Sequence, residues 1–297
     1  MKKIFIAGCG YIGERIAHSC RASGADVTCM VRSPEHGARL ESAGFATIAA
    51  TLDDQATLPP FDLADTVLFY LIPPPGGGII DSRTAHFVTH ISAAEPPSKI
   101  VYMSTTSVYG GGEDRVVTEE SPTLPDSAMG KRRLNAEHAF LQYGAGRNVP
   151  VVILRVSGIY GPGRLPLMQI NQGQPLLNED ESGPSNRIHA DDLTAVGIAA
   201  AEYGMDGDIF NISDGHPSSM TSYFNACADA LGLPRQPQVA LEEARRDMSP
   251  LMFSYVSQSQ IVDNHRMLER LTIQLRYPDM MAGIAASVKM PANSVKE

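Results

Sequence analysis

The sequence predicts an α/β protein: a doubly wound parallel sheet with a smaller C-terminal substrate lobe. Three observations lead there. Short β-rich runs alternate with helix-like runs through the first half of the chain. A glycine-punctuated turn joins the first apolar run to an amphipathic one. Beyond Gly161 the alternation gives way to irregular sequence rich in Gly, Pro, Asn and Asp. Alternation of this kind argues for βαβ units, whose right-handed crossovers cover both faces of a parallel sheet.

Taken in order, Lys3–Ala7, Asp26–Val31, Ala46–Ala50, Thr66–Leu71, Lys99–Ser104 and Val149–Arg155 read as strands. Helices are expected near Glu35–Ala43, Asp81–Ala94 and Asp126–Tyr143, besides the one that opens at the glycine turn. The run Pro73–Gly78 follows a strand end, where proline and glycine can continue neither regular element. Gly163 to Pro184 reads as a loop or flap over a ligand. Asp191 and Asp192 open an alanine-rich helix, Asp208–Ile212 is a strand, and Ser218–Leu231 is a helix capped by Ser218 or Ser219. The expected division is a dinucleotide-binding domain from 1–162 plus 187–215, and a lobe from 163–186 plus 216–297.

With 297 residues the chain has ample core, and its net charge of −9 argues against a nucleic-acid or anionic-membrane surface. No apolar run approaches membrane-spanning length, and the start reads straight into a strand without a signal-peptide pattern. Cys9, Cys20, Cys29 and Cys227 show no metal or redox spacing and read as reduced buried thiols. The expectation is a cytoplasmic protein whose partner is a small molecule, not a nucleic acid or a membrane.

The glycine turn carries the first functional signal. Gly8, Gly10 and Gly13 form G-x-G-x-x-G between a strand and a helix, the context that makes this pattern specific for a dinucleotide. Gly8 makes the tight turn, Gly10 admits a pyrophosphate, and Gly13 lets the helix pack close to the strand. The anion would rest on the N–H groups of the helix start, at Tyr11 and Ile12. An acid that binds the ribose hydroxyls is expected about twenty residues later in an NAD site. Here the second strand ends in Arg32 and Ser33. A guanidinium suits a 2′-phosphate, so NADP(H) is expected over NAD(H), with an ordinary surface arginine as the alternative.

GCGYIG at Gly8–Gly13, Ser104–Gly110, Leu154–Gly163, Arg187–Asp192 and Phe210–Gly215 occur in the order of one family. Together they resemble the NAD-dependent epimerase/dehydratase branch of the extended short-chain dehydrogenase/reductases, and the resemblance extends to about Gly215. It implies a Rossmann-type fold and, by family analogy, a homodimer. It also implies that Asp53 contacts the adenine and that Leu71, Ile72 and Pro73 line the cofactor groove. Ser157, Gly158 and Ile159 would lie beside the nicotinamide, and Arg187 would anchor an anionic group of the substrate.

The resembling family works with a Ser or Thr that binds the substrate oxygen, a Tyr that moves the proton, and a Lys four residues later. That Lys makes physical sense, because a phenol near pKa 10 needs a neighbouring positive charge to act near neutrality. Thr105 matches the Ser/Thr position. Glu137, read as the Glu that follows the Lys, puts Met129 at the Tyr position and Arg133 at the Lys position. Anchoring on Lys131 puts Ser127 there instead, so neither register supplies a phenol. Methionine has no exchangeable proton, whereas Arg133 could still bind ribose hydroxyls. Tyr109, Tyr160 and Tyr70 lie at the ligand-binding edge of the sheet as substitutes, against the alternative that the first two shape loops. His189, Asp191 and Asp192 read as a strand end and helix-start acids, so no metal is expected. Two functions remain: an NADP(H)-dependent oxidoreductase, epimerase or dehydratase with a non-standard site, acting on a small polar or sugar-nucleotide-like substrate, or a catalytically inactive NADP(H)-binding sensor or scaffold.

Overall fold

The computed structural model describes residues 3–91, 95–111, 115–249, 252–253, 256–257 and 259–289. Seven parallel strands form the central sheet: β1 (Lys3–Ala7), β2 (Asp26–Val31), β3 (Ala46–Ala49), β4 (Thr66–Tyr70), β5 (Lys99–Thr105), and the strands Val151–Val156 and Ile209–Ile212. Their spatial order is Ile209–Ile212, Val151–Val156, β5, β4, β1, β2, β3. The chain therefore winds outward from β1 to β3, returns to β4 beside β1, and winds the other way. In such sheets the crevice at the carboxyl ends of the strands flanking this reversal receives the ligand.

Period-two alternation sends neighbouring side chains to opposite layers. Ile4 and Ile6 of β1 join one apolar cluster, Phe5 and Ala7 the other. The first layer holds α1 (Tyr11–Ala22), through Ile12, Ile16 and Cys20, and the helix Ala190–Tyr203, through Leu193 and Val196. The second holds α3 (Ser82–Ile91), through Phe87 and Ile91, and α4 (Ala128–Arg147), through Ala136 and Phe140. Between them in sequence, α2 (Pro34–Ser42) follows β2. The doubly wound α/β architecture is thus as the sequence predicts.

Boundaries moved where capping decides them. Ser127 accepts from Gly130 N at 3.0 Å and starts α4, and Asn148, at φ 55°, ends it four residues later than expected. Ser219, not Ser218, caps Met220–Leu231 by accepting from Ser222 N at 2.8 Å. The expected end of α3 at 92–94 lies outside the described residues. The stretch read as a loop from Gly163 to Pro184 contains a helix, Leu167–Asn171, and a short strand, Leu176–Leu177. A third apolar cluster, with Ile170, Leu176, Tyr223, Phe224 and Ile284, gathers the C-terminal elements around Tyr160. Ile261–Val262 pairs with Val116–Val117, while Met267 and Leu271 join the first layer of the central core. No described helix is long and apolar enough to cross a membrane.

Candidate functional site

Ala7 ends β1 opposite Met30 and Tyr70, so the glycine turn emerges where the winding reverses. Gly8 N and Cys9 N both donate to Met30 O, at 3.1 and 3.0 Å, which folds the turn back over β2. Gly8 adopts φ +90°, and a Cβ there would come within 2.8 Å of the Ile72 side chain and 2.9 Å of its N. A Cβ on Gly13 would meet Gly8 O at 2.8 Å, whereas at Gly10 nothing lies within 4 Å. Two glycines are therefore required by packing, and Gly10 leaves open space for a ligand. The first turn of α1 carries no side-chain cap. Its N–H groups are free to meet an anion at the positive end of the helix dipole. A groove of about 610 Å³ runs along this turn.

At the end of the groove beside β2 and β3, Arg32 and Asp53 both line the wall. Asp53 is held by Arg83, whose Nε and Nη2 donate to its two oxygens at 2.6 and 3.1 Å. That guanidinium pulls the Asp53 pKa below the usual carboxylate range. Asp53 is the only acid lining the groove among the described residues, and Arg32, Arg83, Arg133 and Arg164 line it too. Ser33 does not line it; its hydroxyl accepts from His36 N at 3.2 Å and caps α2. His36 takes a place in the wall instead, with Nε2 2.8 Å from Glu14 Oε1.

Leu71, Ile72 and Pro73 follow β4 and form the wall next to Gly8. At the far end lie Thr105, Arg133, Ser157 and Ile159. Thr105 Oγ1 accepts from Ser107 N at 3.4 Å, a long contact that leaves its own proton available. Arg133 donates from Nη1 to Met103 O at 3.1 Å, which fixes its side chain along β5. Ser157 turns its hydroxyl into the sheet, donating to Ile212 O at 2.8 Å, so it offers the groove only its remaining surface. Gly158 lines a second cavity, together with Ile159 and Tyr160, and not the groove. Met129 is 56% exposed and lines neither cavity. Cys9 reaches the groove wall, and its thiol contacts Cys29 Sγ at 3.1 Å.

The tyrosines named as substitutes are structural. Tyr109 is fully buried; its hydroxyl donates to Asn211 Oδ1 at 2.7 Å and accepts from Arg155 Nη1 at 2.9 Å. Tyr70 is fully buried under Phe87 and Phe140, accepting from Thr84 Oγ1 at 3.2 Å. Burial drives the pKa of each phenol up, away from proton transfer near neutrality. Tyr160 lines the second cavity but is 1% exposed, and burial pushes its pKa up as well. His189 caps the helix Ala190–Tyr203 by accepting from Asp191 N at 3.2 Å, and desolvation lowers its pKa. Asp192 accepts from Arg276 N and Tyr277 N, at 2.7 and 2.9 Å, so its role is to hold the C-terminal segment.

The second cavity, of about 570 Å³, adjoins the groove: Ile159 and Arg164 line both. No acid lines it among the described residues. Arg187 is its principal charge, stacked 4.3 Å from the centre of the Tyr223 ring and donating to Ser218 Oγ at 2.7 Å and Ser185 Oγ at 2.9 Å. His36, Arg83, Arg164, Tyr223 and Gln260 were not singled out by the sequence reading. Arg164 directly follows the motif that ends at Gly163 and His36 lies four residues past Arg32, whereas Arg83, Tyr223 and Gln260 reach the site from distant elements.

The fold is a Rossmann-like α/β arrangement, and the groove lies at the sheet edge where such folds receive a ligand. Residues 80–213 match the sequence model of the NAD dependent epimerase/dehydratase family. The human dTDP-D-glucose 4,6-dehydratase is 32% identical over 122 residues, which is 38% of this chain and 35% of that protein. The chain thus matches only about a third of the length of such relatives. Protein YeeZ of Escherichia coli K12 is 26% identical across 94% of this chain and 97% of its own. Among solved structures, a functionally unknown conserved protein from Silicibacter pomeroyi superposes with a TM-score of 0.84 at 27% identity, covering 98% of this chain and all of that one. UDP-glucuronic acid 4-epimerase from Bacillus cereus, in complex with NAD, shares the fold at a TM-score of 0.74 and 21% identity, over 99% and 98% of the two chains.

Proposed function

We propose that this chain binds NADP(H) in preference to NAD(H) and is an oxidoreductase or epimerase/dehydratase-type enzyme with a non-standard site. The observation that carries the reading is the charge of the groove. An uncapped helix start and four arginines line it, and its single acid is neutralised by Arg83. In a chain of net charge −9, that concentration of cations selects a polyanion. Arg32 and His36 line the same end of the groove, and the planar fork of Arg32 would suit a 2′-phosphate.

The nicotinamide, when bound, supplies hydride transfer at its ring. The chain supplies the rest. Gly8 and Gly13 hold the turn, Gly10 and the amides of Tyr11 and Ile12 receive the pyrophosphate, and Arg133 binds ribose hydroxyls. Thr105 donates a hydrogen bond to a substrate oxygen and keeps its proton. Ser157 and Ile159 wall the nicotinamide end, and Arg187 anchors an anionic, sugar-nucleotide-like substrate in the acid-free cavity. The division into 1–162 plus 187–215 and 163–186 plus 216–297 belongs to this proposal, supported by the separate apolar cluster around Tyr223 and Phe224.

One observation favours a second reading, a sensor or scaffold without turnover. Tyr11 is the only phenol lining the groove among the described residues, and its hydroxyl already donates to Pro162 O at 3.0 Å. The test is a thermal-shift series with each cofactor, then NADPH with a panel of carbonyl compounds. Saturation at a hundredfold Kd stabilises by about 2.7 kcal/mol. Turnover abolished by Thr105→Ala supports the enzyme; binding with no oxidation of NADPH on any substrate supports the sensor.

A further inference from the structure

Arg164 stands at the seam of the two cavities and lines both. Its surroundings fix it on the cofactor side. Tyr11, the first residue of α1, donates its hydroxyl to Pro162 O at 3.0 Å and so ties the loop 161–164 to the glycine turn. A Cβ on Gly161 would lie 2.7 Å from that hydroxyl, so the loop is pressed against the turn. Two guanidiniums flank the Tyr11 ring, Arg15 at 4.1 Å and Arg164 at 5.2 Å from its centre. Arg15 is engaged with Asp191 at 3.5 Å. The Arg164 backbone N–H donates to Gly161 O at 3.0 Å, but its guanidinium makes no hydrogen bond or ion pair among the described residues, and no acid lines either cavity apart from Asp53, which Arg83 holds.

We infer that Arg164 is a cofactor-binding residue that grips the pyrophosphate of a groove-bound dinucleotide from the side opposite the start of α1. The inference rests on the reading of the groove as an NAD(P) site. A guanidinium presents parallel N–H donors in a fixed fork, the geometry that two oxygens of a phosphate accept. The α1 amides supply one face of the anion's shell and Arg164 the other, with the Tyr11 ring as the platform that aims the fork. Because Arg164 also lines the second cavity, a phosphate or carboxylate of the substrate presents the same chemistry; its contact with Tyr11 favours the cofactor.

The experiment is equilibrium titration of wild type, Arg164→Ala and Arg164→Lys with NADPH, NADH and adenosine 2′-phosphate, which lacks the pyrophosphate. A charged hydrogen-bonded contact of this kind corresponds to about tenfold in affinity or more. Arg164→Ala is expected to weaken NADPH and NADH by at least about tenfold and to leave adenosine 2′-phosphate unchanged, with Arg164→Lys intermediate. Unliganded melting temperatures of the three proteins show that the exposed substitution leaves the fold intact. If wild type binds NADPH or NADH and Arg164→Ala binds it within twofold of wild type, the inference is overturned while the groove reading stands. If wild type binds neither dinucleotide, both fall together.

Discussion

Arg155 and Glu137 form a buried pair: Arg155 Nη2 donates to Glu137 Oε2 at 2.8 Å, and Nε lies within 3.3 Å of both carboxylate oxygens. Ser104 Oγ donates to the same carboxylate at 2.6 Å. The pair ties α4, which carries Arg133, to β5 and Val151–Val156, whose ends carry Thr105 and Ser157. Removing one partner leaves the other charge buried, which costs about 3–5 kcal/mol. Glu137→Gln is therefore expected to lower the melting temperature by roughly 6 °C or more. Scanning calorimetry checks it; a shift under a degree sinks the assignment.

Gly8 is expected to tolerate no side chain. At φ +90° an added Cβ is strained, and the atom it meets at 2.9 Å is the Ile72 backbone nitrogen, which cannot swing aside. Gly8→Ala should destabilise by about 1–3 kcal/mol and abolish dinucleotide binding, whereas Gly10→Ala should fold normally and lose binding alone. Paired melting and titration experiments separate the two effects.

Asp214 supplies a pH dependence of stability. It is 4% exposed; Oδ1 accepts from His216 N at 3.0 Å, while Oδ2 has no partner among the described residues. Burial raises its pKa from 3.8 to about 6. The folded state thus holds this proton more tightly than the unfolded chain, so stability from this group is present below about pH 4 and is lost as pH rises to about 6. Asp214→Asn keeps the acceptor and removes the charge. It should be more stable than wild type by about 3 kcal/mol at pH 8, with the difference vanishing near pH 4. Denaturant melts at both pH values read this directly; a constant difference contradicts it.

Much of this site was legible because local backbone physics demands particular residues. Gly8 and Gly13 announce themselves, since no other residue fits their contacts. Glu137 was legible as a register mark, and its contact with Arg155 supplies the physical reason for a Glu there. Ser33 carried a signal for a different role: Ser followed by Pro34 and Glu35 is a helix start, and the structure uses it so. Gly158 was misplaced because its pairing with Arg187, which turns it toward Asn186 and the second cavity, is a long-range contact that no local pattern shows. Arg83 and Tyr223 were not legible, because the sheet and its crossovers bring them to the site from other elements.

Arg32 carries the proposed preference for NADP(H). Its guanidinium is exposed at the groove wall, and a charged contact with a 2′-phosphate is worth about 1.5–3 kcal/mol. Arg32→Ala should therefore weaken NADPH roughly ten- to hundredfold and leave NADH nearly unchanged.

The most direct measurement is calorimetric titration of the wild-type protein with NADPH and with NADH under identical conditions. The account predicts saturable binding of both, with NADPH tighter by about tenfold or more. Equal affinities, tighter NADH, or no binding of either would contradict it.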